Sequence, residues 1–132
     1  MMTSKYKFAQ RSEDNLKGVK SPLVVVIRRA LEITSVDFAV IEGLRTQERQ
    51  RELVAKGASK TMNSKHLTGD AVDVMPVGAD WNKATDWLPV LNAVKQAAED
   101  KGVKLRFGYT WTQNPNDQAA KFLDAPHIEL AG

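Results

Sequence analysis

The clearest periodic stretch begins at Ser21-Pro22, with Ser placed to cap a helix and Pro suited to its first position. Leu23, Val26, Ile27, Ala30 and Leu31 follow at helical spacing and end near Thr34. The Val24-Val25-Val26 run suits a strand equally well, so periodicity and β-branching point in different directions here. Upstream, Ser12-Glu13-Asp14 predicts a short helix start. Phe38 and Val40 on one face, with Ala39 and Ile41 on the other, predict a buried strand stopped by Gly43. Thr46 is placed to cap a helix through Leu53 to Lys56, with Gly57 as its terminal glycine. Residues 58–65 are small and polar and predict a surface loop. Ala71-Val72-Asp73-Val74-Met75 is strand-like and ends at Pro76. Trp87, Leu91, Val94 and Ala98 share a stripe that predicts a helix over 86–101, closed by Gly102. Leu105 and Phe107 predict a short strand before Gly108, residues 110–120 an irregular loop, and residues 126–130 a last strand.

Helices alternating with short strands over 132 residues predict one α+β domain spanning 1–132, a small, mostly antiparallel sheet flanked by helices. The longest aliphatic run, Leu23-Val24-Val25-Val26-Ile27, is far below the roughly 20 residues of a membrane span, so no membrane anchor is expected. The N-terminus carries no apolar secretory stretch. Cysteine is absent, which excludes disulfides, thiolate metal sites and thiol nucleophiles. The net charge of +3, from 19 Lys+Arg against 16 Asp+Glu, is spread along the chain. It is compatible with an anionic polymer, but no aromatic–basic motif supports a nucleic-acid partner.

The two histidines carry the chemistry. Ser64-Lys65-His66-Leu67-Thr68-Gly69-Asp70-Ala71-Val72-Asp73 joins a loop to a strand, and a tight turn at Gly69 lets the His66 imidazole and the Asp73 carboxylate converge. Asp124-Ala125-Pro126-His127-Ile128-Glu129-Leu130 puts the second histidine in a strand. Two His and one carboxylate form a common catalytic zinc set whose fourth position is left for water. Nitrogen and oxygen donors suit zinc without excluding other divalent cations. On residues alone, solvated or hydrogen-bonded histidines remain the competing reading.

Ser64, His66, Gly69, Ala71 and Asp73 match the pattern Ser-x-His-x-x-Gly-x-Ala-x-Asp, and Pro126-His127-x-Glu129-Leu130 supplies its downstream partner. Together they resemble the D-Ala-D-Ala metallopeptidase superfamily, whose fold is that of the hedgehog/D-Ala-D-Ala peptidases. The compact length and Glu42-Gly43-Leu44-Arg45-Thr46-x-x-x-Gln50 look like the bacteriophage L-alanyl-D-glutamate peptidase endolysins, over residues 11–130. This resemblance implies His66, Asp73 and His127 as ligands of Zn2+, Asp124 as the acid/base carboxylate and Arg45 as a substrate-binding residue. It also implies hydrolysis of peptidoglycan stem peptides at the L-alanyl-D-glutamate bond. Such an enzyme would be made in the host cytoplasm and reach periplasmic peptidoglycan once the membrane is permeabilised. A monomer is expected.

Glu129 competes with Asp124, because strand alternation puts it on the face of His127; its plainer role is to orient that histidine. Ser64 either bonds near metal or substrate or shapes the turn, and Gln50 reads as structural. Trp87 falls on an apolar stripe and reads as core, Trp81 as a seal on the preceding loop, and Trp111 as the border of the cleft. Gly108-Tyr109-Thr110-Trp111 departs from the family, where an acidic residue is expected just before the Trp, and residues 112–121 diverge as well. Two alternatives stand beside the endolysin: a D,D-carboxypeptidase or dipeptidase with the same zinc chemistry, and a non-catalytic zinc-binding module.

Overall fold

The computed structural model of the chain describes residues 5–59, 62–121 and 123–131. Helices α1 (Gln10–Leu16) and α2 (Ser21–Ile33) precede strand β1 (Phe38–Glu42) and helix α3 (Gln47–Ala55). A 3-10 turn (Lys65–Thr68) leads into β2 (Ala71–Pro76), followed by α4 (Ala84–Lys101), β3 (Leu105–Phe107) and β4 (His127–Leu130). The strands form one sheet in the order β1-β2-β4-β3, every pair antiparallel. This is the α+β architecture expected.

Alternation divides the sheet's two faces. Val72, Val74, Ile128, Leu105 and Phe107 point to the core, where they join Leu23, Val26 and Ile27 of α2 and Trp87, Leu91 and Val94 of α4. Asp73, His127, Glu129 and Arg106 have the opposite parity and share the other face. The valine run resolves as helix because the 3.6-residue stripe is what gets buried. Leu23, Val26 and Ile27 are fully buried while Val25 is 42% exposed. Burying a side chain such as Leu23 contributes about 1.5–3 kcal/mol, well above the few tenths that β-branching costs a helix.

Several boundaries differ from expectation. Helix α1 starts at Gln10, so Ser12 lies inside it, buried, and its hydroxyl accepts from the Val40 N–H at 3.0 Å. Lys20, not Ser21, is the N-cap of α2, and no side chain caps that end; Pro22 still lies in the first turn. Helix α4 begins two residues early, at Ala84. Thr46 does cap α3, accepting from the Arg49 N–H at 3.1 Å, a contribution of about 1 kcal/mol. Trp87 is core, with its indole N–H donating to the Asp80 carbonyl at 2.9 Å. Trp81 packs against Trp87 with ring centroids 5.2 Å apart and the rings tilted by 45°, while 55% of Trp81 stays exposed.

Between Val40 and Glu42 the β1–β2 register slips: Val40 pairs with Val74, yet Glu42 pairs with Asp73. Ile41 is the extra residue of a β-bulge. Plain alternation would send Glu42 to the core face with Phe38 and Val40; the bulge turns it beside Asp73 instead.

Candidate active site

The site grows from the central β2–β4 pair. Asp73 and His127 are direct cross-strand partners, so their side chains leave the sheet side by side. His66 reaches them from the 3-10 turn. Ser64 caps that turn through its hydroxyl, which accepts from the His66 N–H at 3.2 Å. Gly69 ends it in the left-handed region at φ +76°, and a Cβ there would meet the Gly18 carbonyl oxygen at 2.5 Å. His66 is also tied to the segment after β1. Its Nδ1 lies 2.9 Å from the Gly43 carbonyl oxygen, and its own carbonyl accepts from the Arg45 N–H at 2.9 Å.

One donor atom each from His66, Asp73 and His127 lies within 4.8 Å of the others. His66 Nε2 is 3.1 Å from Asp73 Oδ1 and 3.2 Å from His127 Nδ1. The outer ring nitrogens fix the tautomers. A carbonyl oxygen only accepts, so His66 Nδ1 carries the hydrogen and Nε2 keeps its lone pair. His127 Nε2 donates in the same way to Glu129 Oε1 at 2.8 Å, which leaves His127 Nδ1 as a lone-pair donor whenever the ring is neutral. Three lone pairs thus face one point and would repel one another unless a cation lies between them. That donor set, with each imidazole oriented by an oxygen behind it, fits a divalent metal.

The electrostatics agree. Burial alone would lower the His127 pKa, but hydrogen bonds to Asp73 and Glu129 outweigh it and raise it to about 9. Burial would raise the Asp73 pKa; hydrogen bonds and charge from His127 and His66 overcome it and hold the carboxyl well below the usual range. The hydrogen bond from His127 likewise depresses Glu129. In the absence of metal, a proton on His127 occupies the place of the cation.

These groups lie at the foot of a cleft of about 360 Å³ also lined by Glu42, Arg45, Ser64, Lys65, Trp111 and Asp124. Asp124 stands at its mouth, and its backbone N–H donates to the Gly108 carbonyl at 2.8 Å. Although the residue is exposed, its carboxyl is crowded from within. That partial desolvation, with the negative charge of Asp73, pushes its pKa above the ordinary value. Ser64 borders the cleft, but its hydroxyl is engaged in capping the turn. Trp111 closes one side, its ring centroid 5.5 Å from that of His127. Its φ of +56° is left-handed, a conformation that costs a bulky residue on the order of 1–3 kcal/mol.

Arg45 is held by two residues with no site role in the sequence reading. Its Nε–H donates to Glu42, and its Nη1 donates to Gln50 Oε1 at 2.7 Å. Gln50 is fully buried and passes a hydrogen bond from its own amide to Ser59 at 2.9 Å. The guanidinium is therefore fixed with N–H donors to spare. The signal for Gln50 was its place on the first turn of α3, one turn after Thr46. Glu42 stood in the family-like segment that opens before Arg45, but strand alternation pointed it to the core face, and only the bulge brings it here.

The chain is similar to known proteins over nearly its whole length. The family model for phage L-alanyl-D-glutamate peptidases matches residues 4–131. The L-alanyl-D-glutamate peptidase of Escherichia phage T5 is 37% identical over 134 residues, covering 95% of this chain and 98% of that protein. The enzyme of the same name from Listeria phage A118 is 31% identical over 98% of this chain, which corresponds to 43% of its own length. The crystal structure of the Serratia marcescens L-Ala D-Glu endopeptidase ChiX superimposes with a TM-score of 0.80 at 38% identity, covering 96% of this chain and 92% of that one. The sequence motifs, the antiparallel sheet and the His–Asp–His cluster converge on one assignment: this chain belongs to the phage L-alanyl-D-glutamate peptidase family.

Proposed function

We propose that this peptidase is a zinc-dependent endolysin that hydrolyses the L-alanyl-D-glutamate bond of peptidoglycan stem peptides. The observation that carries the reading is the convergence of three lone pairs, from His66 Nε2, Asp73 and His127 Nδ1, at the foot of an open cleft. His66, Asp73 and His127 would hold the ion, with Gly43 and Glu129 fixing the two imidazoles. Zinc, when bound, supplies Lewis-acid polarisation of the scissile carbonyl and a water of lowered pKa.

The remaining chemistry belongs to the chain. Asp124 takes a proton from the attacking water as its oxygen bonds to the alanyl carbonyl carbon. Asp124 then returns that proton to the D-glutamyl nitrogen as the C–N bond breaks. Its raised pKa suits it to hold the proton between the two events. Arg45, kept in place by Glu42 and Gln50, pairs with a stem-peptide carboxylate through parallel N–H donors. Trp111 supplies an apolar wall beside the reacting bond, and Ser64 supports the cleft by shaping the turn that carries His66. Among the described residues no helix is long and apolar enough to cross a membrane. Access to periplasmic peptidoglycan after membrane permeabilisation is part of the same proposal, as is action as a monomer.

The test is mass spectrometry of purified muropeptides after incubation with zinc-loaded protein, with Asp124→Asn as control. Fragments ending in muramyl-L-alanine, paired with peptides beginning at D-glutamate, are expected from the wild type and not from the variant. Release of terminal D-alanine would make the protein a D,D-carboxypeptidase. Intact muropeptides in the presence of bound zinc would leave a non-catalytic zinc module.

A further inference from the structure

Arg106 has no part in the chemistry above, yet its head group touches two walls of the cleft. It lies on β3 opposite Glu129 of β4, with its side chain about half exposed. Its Nε–H donates to the Trp111 carbonyl at 3.0 Å, and its Cζ sits 5.1 Å from the centre of the Trp111 ring. Its Nη1 lies 3.8 Å from Glu129 Oε2.

Trp111 ends a tight reversal after β3. Its N–H donates to the Phe107 carbonyl at 2.6 Å, and the next residue, Thr112, returns its carbonyl to the Phe107 N–H at 2.8 Å. The left-handed backbone at Trp111 lets the chain close this way, and glycine would adopt it without strain. A tryptophan where glycine is cheapest means that the ring is worth the strain, and the ring lies against His127. Arg106 grips this residue twice, at its backbone oxygen and over its ring face.

We propose that Arg106 is a positioning residue that holds Trp111 against His127, so that the wall of the cleft is preformed when substrate arrives. It acts on substrate through Trp111 and not through the metal ligands. The wall's use by a stem peptide rests on the peptidase reading; the fixing of Trp111 does not.

The experiment compares wild type, Arg106→Met, Arg106→Lys, Trp111→Ala and the Arg106→Met/Trp111→Ala double variant, all zinc-loaded. It reads kcat and KM on a soluble muropeptide, zinc affinity, and near-ultraviolet circular dichroism. Arg106→Met should raise KM about tenfold, the effect of losing one hydrogen bond and one partly exposed cation–π contact, with kcat nearly unchanged. Arg106→Lys, which keeps the charge without the planar fork, should fall between the two. In the Trp111→Ala background the Arg106→Met change should have no further effect on KM. The aromatic dichroism assigned to Trp111 should weaken in Arg106→Met.

An unchanged KM, or an equal KM rise in the Trp111→Ala background, would overturn the proposal. A zinc affinity that falls in parallel with activity would also overturn it, because Arg106 would then act through Glu129 and His127. If wild type cleaves no muropeptide the peptidase reading fails, while the dichroism still tests the contact itself.

Discussion

Gly108 tests how tightly the β3 turn sets the site. Its N–H donates to the His127 carbonyl at 2.7 Å, and its carbonyl accepts from the Asp124 N–H at 2.8 Å, so it is bonded to both ends of the turn carrying the proposed base and one metal donor. A Cβ at this position would sit 2.3 Å from the Asp124 carbonyl oxygen and 2.8 Å from His127 Cβ. Both obstacles are backbone or backbone-anchored, so neither can swing away. Gly108→Ala must therefore open roughly 1 Å between β3 and the 124–127 turn. Weakening the two hydrogen bonds costs about 2 kcal/mol, a fall in melting temperature of about 8 °C for a domain of this size. The same displacement moves Asp124 and His127, and a misplacement of about 1 Å lowers turnover on the order of a hundredfold.

The control is Gly78→Ala. Gly78 has a positive φ of +77°, which Gly108 does not, but nothing lies within 4 Å of its Cβ position, and it is outside the cleft. That change should cost about 1 kcal/mol of stability and leave activity intact. Thermal melts and kcat/KM measured well below both midpoints separate the two effects. Near-wild-type kcat/KM in folded Gly108→Ala would refute the claim that this contact sets the geometry of Asp124 and His127.

Three further outcomes are expected. The folded state holds the His127 proton more tightly than the unfolded chain, whose pKa is the ordinary 6.5. In metal-stripped protein this stabilisation is full below pH 6.5 and disappears as pH rises through about 9. Urea midpoints should reveal a loss on the order of 3 kcal/mol over that interval, and zinc, which replaces the proton, should abolish it. Glu129→Gln should weaken zinc binding about 10–100-fold in a chelator competition without eliminating it, because it loosens the His127 ring and removes no donor to the metal. Unchanged affinity would deny Glu129 that role. Arg45→Lys and Gln50→Leu should both raise KM, the first by losing the planar fork and the second by releasing it, about tenfold for one charged hydrogen bond. A Gln50→Leu enzyme with normal KM and lowered stability would make Gln50 purely structural.

What the sequence determined by itself is whatever rests on local chemistry. The cap at Thr46, the left-handed turn at Gly69, the buried stripe of α2 and the alternation of Phe38 with Val40 and of Leu105 with Phe107 depend on neighbours a few residues apart. The motif from Ser64 to Asp73 spans ten residues and was visible for the same reason. Strand parity also put Glu129 on the side of His127, where it accepts the ring's hydrogen bond. The starts of α1, α2 and α4 differ because Ala9, Lys20 and Lys83 stand at the N-caps without a side-chain hydrogen bond, so packing overrode a local capping preference of about 1 kcal/mol.

Only the tertiary structure decided what depends on register or on distant chain. A single extra residue at Ile41 moved Glu42 from the core face to the cleft, and no pattern of hydrophobicity marks a bulge. Pairing β2 with β4 set Asp73 directly opposite His127 across 54 residues of chain, and the Gly43 carbonyl and Glu129 then fixed which nitrogen of each imidazole faces inward. The place of the left-handed Trp111 belongs in part to the same class, since its ring packs against His127 of β4, sixteen residues further along the chain. Local propensity spans about 1 kcal/mol per residue, enough to place helices and strands, whereas the site is made by long-range contacts whose energies exist only after the chain has folded.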